Sequence, residues 1–276
     1  IIIFHYVPMY GLLIAFKNFS PRKGILGSDW IGVKNFRLFI TSYKFKRVIT
    51  NTVLLRLLLL VISFPFPIIL ALSLNEVRSR RYKKSIQMIS YLPHFISTVV
   101  VVGIMTQFVS LNGLMNNMMV ALGFERTSFL NSPEMFRPLY IISDVWQGVG
   151  YSSIIYLAAL SSVNTDLYDA GKIDGVSILK KIWYIDLPTI LPIIIILLIL
   201  NVSKIMNVGF EKVFLMQTDL NRVTSDVINT YVYRIGILTG SYSFATAVGL
   251  FTSVINSIIL VTVNKFSKMV SETSLW

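Results

Sequence analysis

In the run IIIILLILNV, residues 193–202, the first eight side chains offer water nothing to hydrogen-bond with over more than two helical turns. A helix that crosses the hydrocarbon core of a bilayer takes about 20 mainly apolar residues. The chain supplies one partial span, about Ile1 to Phe16, and five fuller ones near 52–74, 86–109, 139–160, 187–208 and 244–263, the fourth being the most polar. Of its 276 residues 54% are hydrophobic and 14% charged, against about 25% charged in an average soluble domain. One water-soluble core cannot hide that much apolar surface, so the expected fold is an all-α, multi-pass membrane protein. The chain opens with no Met and no basic segment before its first apolar run, so that run is read as part of a membrane helix that starts upstream of Ile1, not as a signal peptide.

The same composition excludes several chemistries. With no cysteine there is no disulfide, thiolate metal site or thiol nucleophile. Two isolated histidines, His5 and His94, and 13 acids leave no expected metal or acid–base centre. There is no Gly-rich phosphate loop, so any ATP-driven work draws its energy from a partner. The net charge of +12 suits anionic lipid headgroups and loop bias better than nucleic acid.

Basic loop residues set the orientation. The loop Asn75–Ser85, NEVRSRRYKKS, holds five Lys/Arg and one Glu and is placed in the cytoplasm, with Glu76 read as part of a solvated turn against lipid phosphate. Alternation then puts the loop near 160–186 and the C-terminus on the same side. The segment Lys17–Arg47 carries eight Lys/Arg and falls outside, against the rule; its WIGVKNFRLFI pattern suits an interfacial helix.

Between the fourth and fifth spans lies LYDAGKIDGVSILKKIWYIDLPTILP, Leu167–Pro192. The expectation is a first short helix capped by Asp166, with Leu167, Ala170 and Ile173 forming an apolar stripe. Gly175 after Asp174 is a natural stop, a second short helix runs from Ser177 to about Tyr184, and Pro188 opens the fifth span.

These residues resemble the loop of permease subunits of bacterial ATP-binding cassette importers whose pattern is Glu-Ala-Ala, three residues, then Gly, with Leu-Pro following. Here Asp169 stands for Glu, Ala170 matches, Gly171 replaces the second Ala and Gly175 matches the glycine. The resemblance extends to YVPMYGLLIAFKNFSPRKGILGSDWIGVKNF, YLPHFIS, YLAALSSVNTDLYDAGKIDGV, TSDVINTYVYRIG and YSFATAVGLFTSVINSIILVTVNKFSK, and is nearest to polysaccharide permeases of the LplB type. It implies a type I importer permease with a six-helix core over 1–276 and a coupling loop at 162–186 that docks on an ATPase. Leu167, Asp169, Ala170, Gly171, Ile173, Asp174 and Gly175 are then the docking residues. It further implies a bacterial plasma-membrane location, a second permease, two ATPase subunits that bind ATP and Mg, an extracellular solute-binding lipoprotein, and an oligosaccharide as substrate.

Sugars are held by hydrogen bonds to hydroxyls and by ring stacking. The polar residues of the fourth span, Asp144, Trp146, Gln147 and Tyr151, are candidates to line the path. So are Asn201, Lys204, Asn207 and Glu211 in and after the fifth span, where spacings of three and four would put them on one helical face. The alternative role for both sets is hydrogen-bonded contact between helices, with Lys204 paired to Asp144 or Glu211. Lys204 and Arg234 leave room for an acidic oligosaccharide. The competing functions are a permease for another solute class and a membrane-embedded glycosyl or lipid transferase, for which the acids are too scattered.

Overall fold

The computed structural model describes residues 2–271 and 274–275, so Ile1 of the expected partial span lies outside the described residues, as does the side chain of His5. The chain starts with α1 (Ile2–Phe16). A two-residue antiparallel ladder follows, β1 (Lys17–Asn18) with β2 (Asp29–Trp30), and then α2 (Lys34–Ile40). It falls in the segment expected to be helical: Leu38 and Ile40 are exposed, while Phe39 is buried edge-on against Phe45, Phe244 and Phe251.

α3 (Phe45–Glu76) is one continuous helix of 32 residues, longer than expected. Pro65 and Pro67 do not break it, because the turn Leu59–Ser63 widens by one residue and the Phe64 N–H reaches the Leu59 carbonyl at 3.2 Å. That bulge absorbs the crowding a proline ring imposes on the turn before it.

The expected span 86–109 is divided. α4 (Arg80–Tyr91) ends in a tight turn, Leu92–Phe95, and α5 (Thr98–Val109) starts afresh, its Val100 N–H donated to Ser97 Oγ at 3.4 Å. Pro93 brings no N–H to continue the first helix and Ser97 caps the second. α6 (Leu114–Ala121) extends α5 after a short interruption.

α7 (Pro133–Leu160) has 28 residues. Four described helices are long and apolar enough to cross a membrane: Phe45–Glu76, Thr98–Ala121, Ile178–Val202 and Tyr242–Met269. α7 is too polar to join them, and packs against α3, α4 and the helix after the loop. After it come α8 (Thr165–Ile173), α9 (Ile178–Val202), α10 (Phe210–Met216), α11 (Ile228–Tyr233) and α12 (Tyr242–Ser271).

Two boundaries differ from expectation. The fifth span begins at Ile178, not 187, because a widened turn at Ile182–Asp186 carries the helix through to Pro188 without an elbow. It also ends at Val202, so the irregular segment 203–209 takes Lys204 and Asn207 off the helix and separates them from Glu211.

Three buried clusters hold the bundle, and α3 runs through all of them. Leu55 packs with Val102, Phe136, Tyr140 and Val213. Ala71 and Leu72 pack with Tyr156, Leu160 and Ile190. Val48 packs with Phe39, Met206, Ile228, Tyr231 and Val248. Many large apolar side chains stay exposed, among them Val61, Ile69, Ile142, Ile258 and Val261, which suits a lipid solvent.

Candidate functional site

Between α3, α7 and α9 lies a cavity of about 400 Å³ whose polar lining includes Arg56, Ser63, Asp144, Tyr151, Ser152 and Asn201. A neighbouring cavity shares Asp144, Gly148 and Ser152 and is walled by the segment 94–98, Gln147 and Glu211. The two therefore meet along α7, and the interruption at 92–97 contributes His94 to Ser97 to the wall of the second. Non-helical backbone in a membrane bundle is tolerated where it is buried in protein or faces an aqueous cavity.

The charges are arranged across these elements. Arg56 on α3 donates through Nη2 to Asn201 Oδ1 at 3.2 Å and to its carbonyl at 3.4 Å. Asp144 pairs with the buried Lys212 of α10 at 3.8 Å, and the Lys212 ammonium sits 5.0 Å from the Tyr140 ring centre. Gln147 Nε2 donates to the Ile96 carbonyl at 3.1 Å, which satisfies part of the interrupted backbone. Tyr151 stacks on His94 with ring centres 3.8 Å apart and planes 2° from parallel. The walls thus combine a guanidinium, a carboxylate, amides and exposed ring faces, the groups that hydrogen-bond and stack on a polar solute.

Of the residues expected on the path, Asp144, Gln147, Tyr151, Asn201 and Glu211 come together at these cavities. Trp146 is 47% exposed and lines neither, and Lys204 is likewise outside them. Asn207 accepts from Asn229 Nδ2 at 2.8 Å. The cation paired with Asp144 is Lys212, not Lys204. Arg234 grips the buried Asp226 through two bonds of 2.9 and 2.8 Å, which accounts for its charge within the fold. Arg56, Lys212 and His94 are not among the path residues expected from the sequence, which reads His94 only as an isolated histidine. For Arg56 the signal was present, a lone charge inside LLRLLLL. Among the described residues no group of three or more His, Asp or Glu is gathered to hold a metal.

The loop between α7 and α9 forms a second functional region. Its first helix is capped by Asn164, whose Oδ1 accepts from the Asp166 N–H at 3.0 Å; Asp166 lies in the first turn instead of capping it. It ends as expected. Gly175 has φ +65°, its N–H bonds the Lys172 carbonyl at 3.2 Å, and the Val176 N–H bonds the Gly171 carbonyl at 2.9 Å. This is the paired-bond helix stop that a left-handed glycine permits. Leu167, Ala170 and Ile173 are exposed, Ile173 by 87%. Asp169 and Asp174 are exposed as well, Asp169 bonding Lys172 at 2.8 Å.

Tyr168 turns the other way. Its hydroxyl donates to Asp186 Oδ1 at 2.6 Å and accepts from Asn75 Nδ2 at 3.4 Å. Burial first, then the bond to Asp186, pushes this hydroxyl up to about 12, so it remains a donor at any physiological pH. Lys181 bridges Glu76 and, at 3.9 Å, Asp186. Glu76 is therefore an ion-pair partner of α9 and not part of a free turn. The Asn75–Tyr168 bond also puts the two basic loops at one end of the bundle, as their charge required.

Fold and cavity together define an integral membrane protein with a polar passage-like interior and an amphipathic loop turned outward at one end. Residues 63–271 match the model of the binding-protein-dependent transport system inner membrane component family, and the chain belongs to that family. Over its whole length it is 42% identical to the polygalacturonan/rhamnogalacturonan transport system permease protein YteP of Bacillus subtilis strain 168, covering 86% of that protein. It is also 42% identical to Protein LplB of the same organism, covering 87% of it. A crystal structure of a bacterial ABC transporter involved in the import of the acidic polysaccharide alginate contains a chain that matches with a TM-score of 0.91, over 98% of this chain and 91% of that one, at 42% identity. The fold is thus that of a type I importer permease, and the chain is a transport component, not an enzyme.

Proposed function

We propose that this permease forms half of the translocation pathway of an ATP-driven importer of oligosaccharides or polysaccharide fragments, including acidic ones. The observation that carries the reading is the cavity between α3, α7 and α9 where Arg56, Asp144, Tyr151 and Asn201 meet. Its mixture of charge, amide and ring suits a hydroxyl-rich solute. The substrate class is supported by the similar proteins, a polygalacturonan/rhamnogalacturonan transport system permease protein and a chain of an ABC transporter involved in alginate import.

In this reading residues 1–276 act as one permease unit in the bacterial plasma membrane. A second permease supplies the other half of the path, an external solute-binding lipoprotein delivers the sugar, and two ATPase subunits hold ATP and Mg. The segment 162–186 docks on one ATPase through the exposed Leu167, Ala170 and Ile173. The test is purification with the partner subunits, reconstitution into proteoliposomes, and uptake of trigalacturonate, trimannuronate and maltotriose in the presence of ATP and the binding protein. Uptake of at least one of them, dependent on ATP, is expected. Copurification without an ATPase, or uptake of none of the three, overturns the reading.

A further inference from the structure

The helix α8 is joined to its neighbours only by the turns 161–164 and 174–177, and none of its residues is fully buried. Only Tyr168 and Gly171 are partly buried, the other residues being exposed, and Gly171 has no side chain to anchor with. The one side chain that sinks from this helix into the bundle is Tyr168. Its ring packs on the cluster around Ala71, Tyr156, Leu160 and Ile190, and the Lys181 ammonium stands 4.8 Å from its centre.

The hydroxyl carries more than packing. Asp186 is fully buried at the foot of α9, and its Oδ2 has no hydrogen-bond partner. Among the described residues, the Tyr168 hydroxyl is the hydrogen-bond donor to this carboxylate, with Lys181 completing the charge balance at 3.9 Å. A buried carboxylate stripped of its donor is strongly disfavoured. When α8 shifts, Asp186 must therefore follow it or lose that bond. The exposed Lys172–Asp169 pair on the same helix makes no comparable link, since it joins two residues of α8 to each other.

We propose that Tyr168 is a positioning residue that ties α8 to α9, so that a displacement imposed on the exposed stripe moves the foot of the fifth span as one body with it. The α3 terminus is included through Asn75 and the Glu76–Lys181 pair. The inference rests on the docking of α8 to an ATPase.

The experiment uses the whole complex, with its ATPase subunits, in lipid nanodiscs. The chain has no native cysteine, so nitroxides are placed at Thr165→Cys and Leu191→Cys, both exposed and outside the docking stripe. Interspin distances are measured by pulsed dipolar spectroscopy without nucleotide and with ATP and vanadate. With Tyr168 present, one narrow distribution is expected in both states. Tyr168→Phe keeps the ring and the assembly but removes the donor, and is expected to widen the distribution at least twofold with ATP and vanadate. Asp186→Asn keeps an acceptor for the hydroxyl and is expected to preserve the narrow distribution. If Tyr168→Phe does not assemble, Asp186→Leu breaks the same bond from the other side. A Tyr168→Phe distribution identical to the parent in both states, or a parent pair that itself widens, overturns the proposal. Docking is judged separately by cross-linking Ile173→Cys to the ATPase: absence of that cross-link defeats the docking reading, while the distances still decide whether Tyr168 holds the two helices together.

Discussion

A β-carbon on Gly150 would stand 2.0 Å from the carbonyl oxygen of Ser90, so α4 and α7 touch backbone to backbone at this point. The neighbour is main chain and cannot swing aside. Gly150→Ala is expected to force the two helices apart, at a cost on the order of 1–3 kcal/mol or more. Gly148, two residues earlier, has nothing within 4 Å of such a carbon. The check is the thermal midpoint of the purified complex, which should drop clearly for Gly150→Ala and far less for Gly148→Ala.

Gly175 sits at φ +65°. Alanine there is expected to cost about 1–2 kcal/mol of loop stability, the penalty of a β-carbon in the left-handed region. Proline does more damage, because it fixes φ near −65° and deletes the N–H that bonds Lys172. Uptake per assembled complex should be nearly lost in Gly175→Pro and only reduced in Gly175→Ala. Normal uptake by the proline variant would remove this turn from the transport mechanism.

Asp144 and Lys212 form a coupled pair at 3.8 Å, with Lys212 buried. Removing the carboxylate alone leaves a cation without its counter-charge, which is worse than removing both. Asp144→Asn should lower stability by about 1–3 kcal/mol, and Asp144→Asn with Lys212→Met by less than the sum of the two single changes. A double-mutant cycle on complex stability reads this directly; strict additivity would mean the two charges do not interact.

Arg56 lines the cavity, and among the described residues its guanidinium hydrogen-bonds to Asn201. Arg56→Gln shortens the side chain and removes the charge. The expected outcome is about a tenfold fall in uptake of a trigalacturonate per assembled complex, or roughly 1.4 kcal/mol, with basal ATP hydrolysis retained. Loss of assembly in place of uptake would make Arg56 a structural bridge between α3 and α9.

Single cysteines report the topology against a clean background, since the chain has none of its own. Those at Ser79 and Ser177, next to the loops joined by Asn75 and Tyr168, should resist an impermeant maleimide in intact cells or protoplasts. One at Ser132 should react. The reverse pattern would invert the orientation.

The apolar runs by themselves determined that this chain lives in a membrane, because no soluble core can absorb them, and the Lys/Arg-rich loops determined that two of its turns share a side. The stop at Gly175 was also legible, since a left-handed position after a short amphipathic helix selects glycine from local sterics alone. What the tertiary structure decided are the features that depend on a distant neighbour. Pro65 stays inside a continuous helix because a widened turn accommodates it, whereas near Pro93 the helix stops, and both look like a proline in an apolar run. Lys204, Asn207 and Glu211 have the spacing of a helical face, yet the helix ends at Val202. Asp144 finds Lys212, and Asp186 finds Tyr168, across gaps of 68 and 18 residues. Local pattern fixes which groups must be sheltered from lipid. Which partner shelters each one is set by how the helices pack, and that information is spread over residues far apart in the chain.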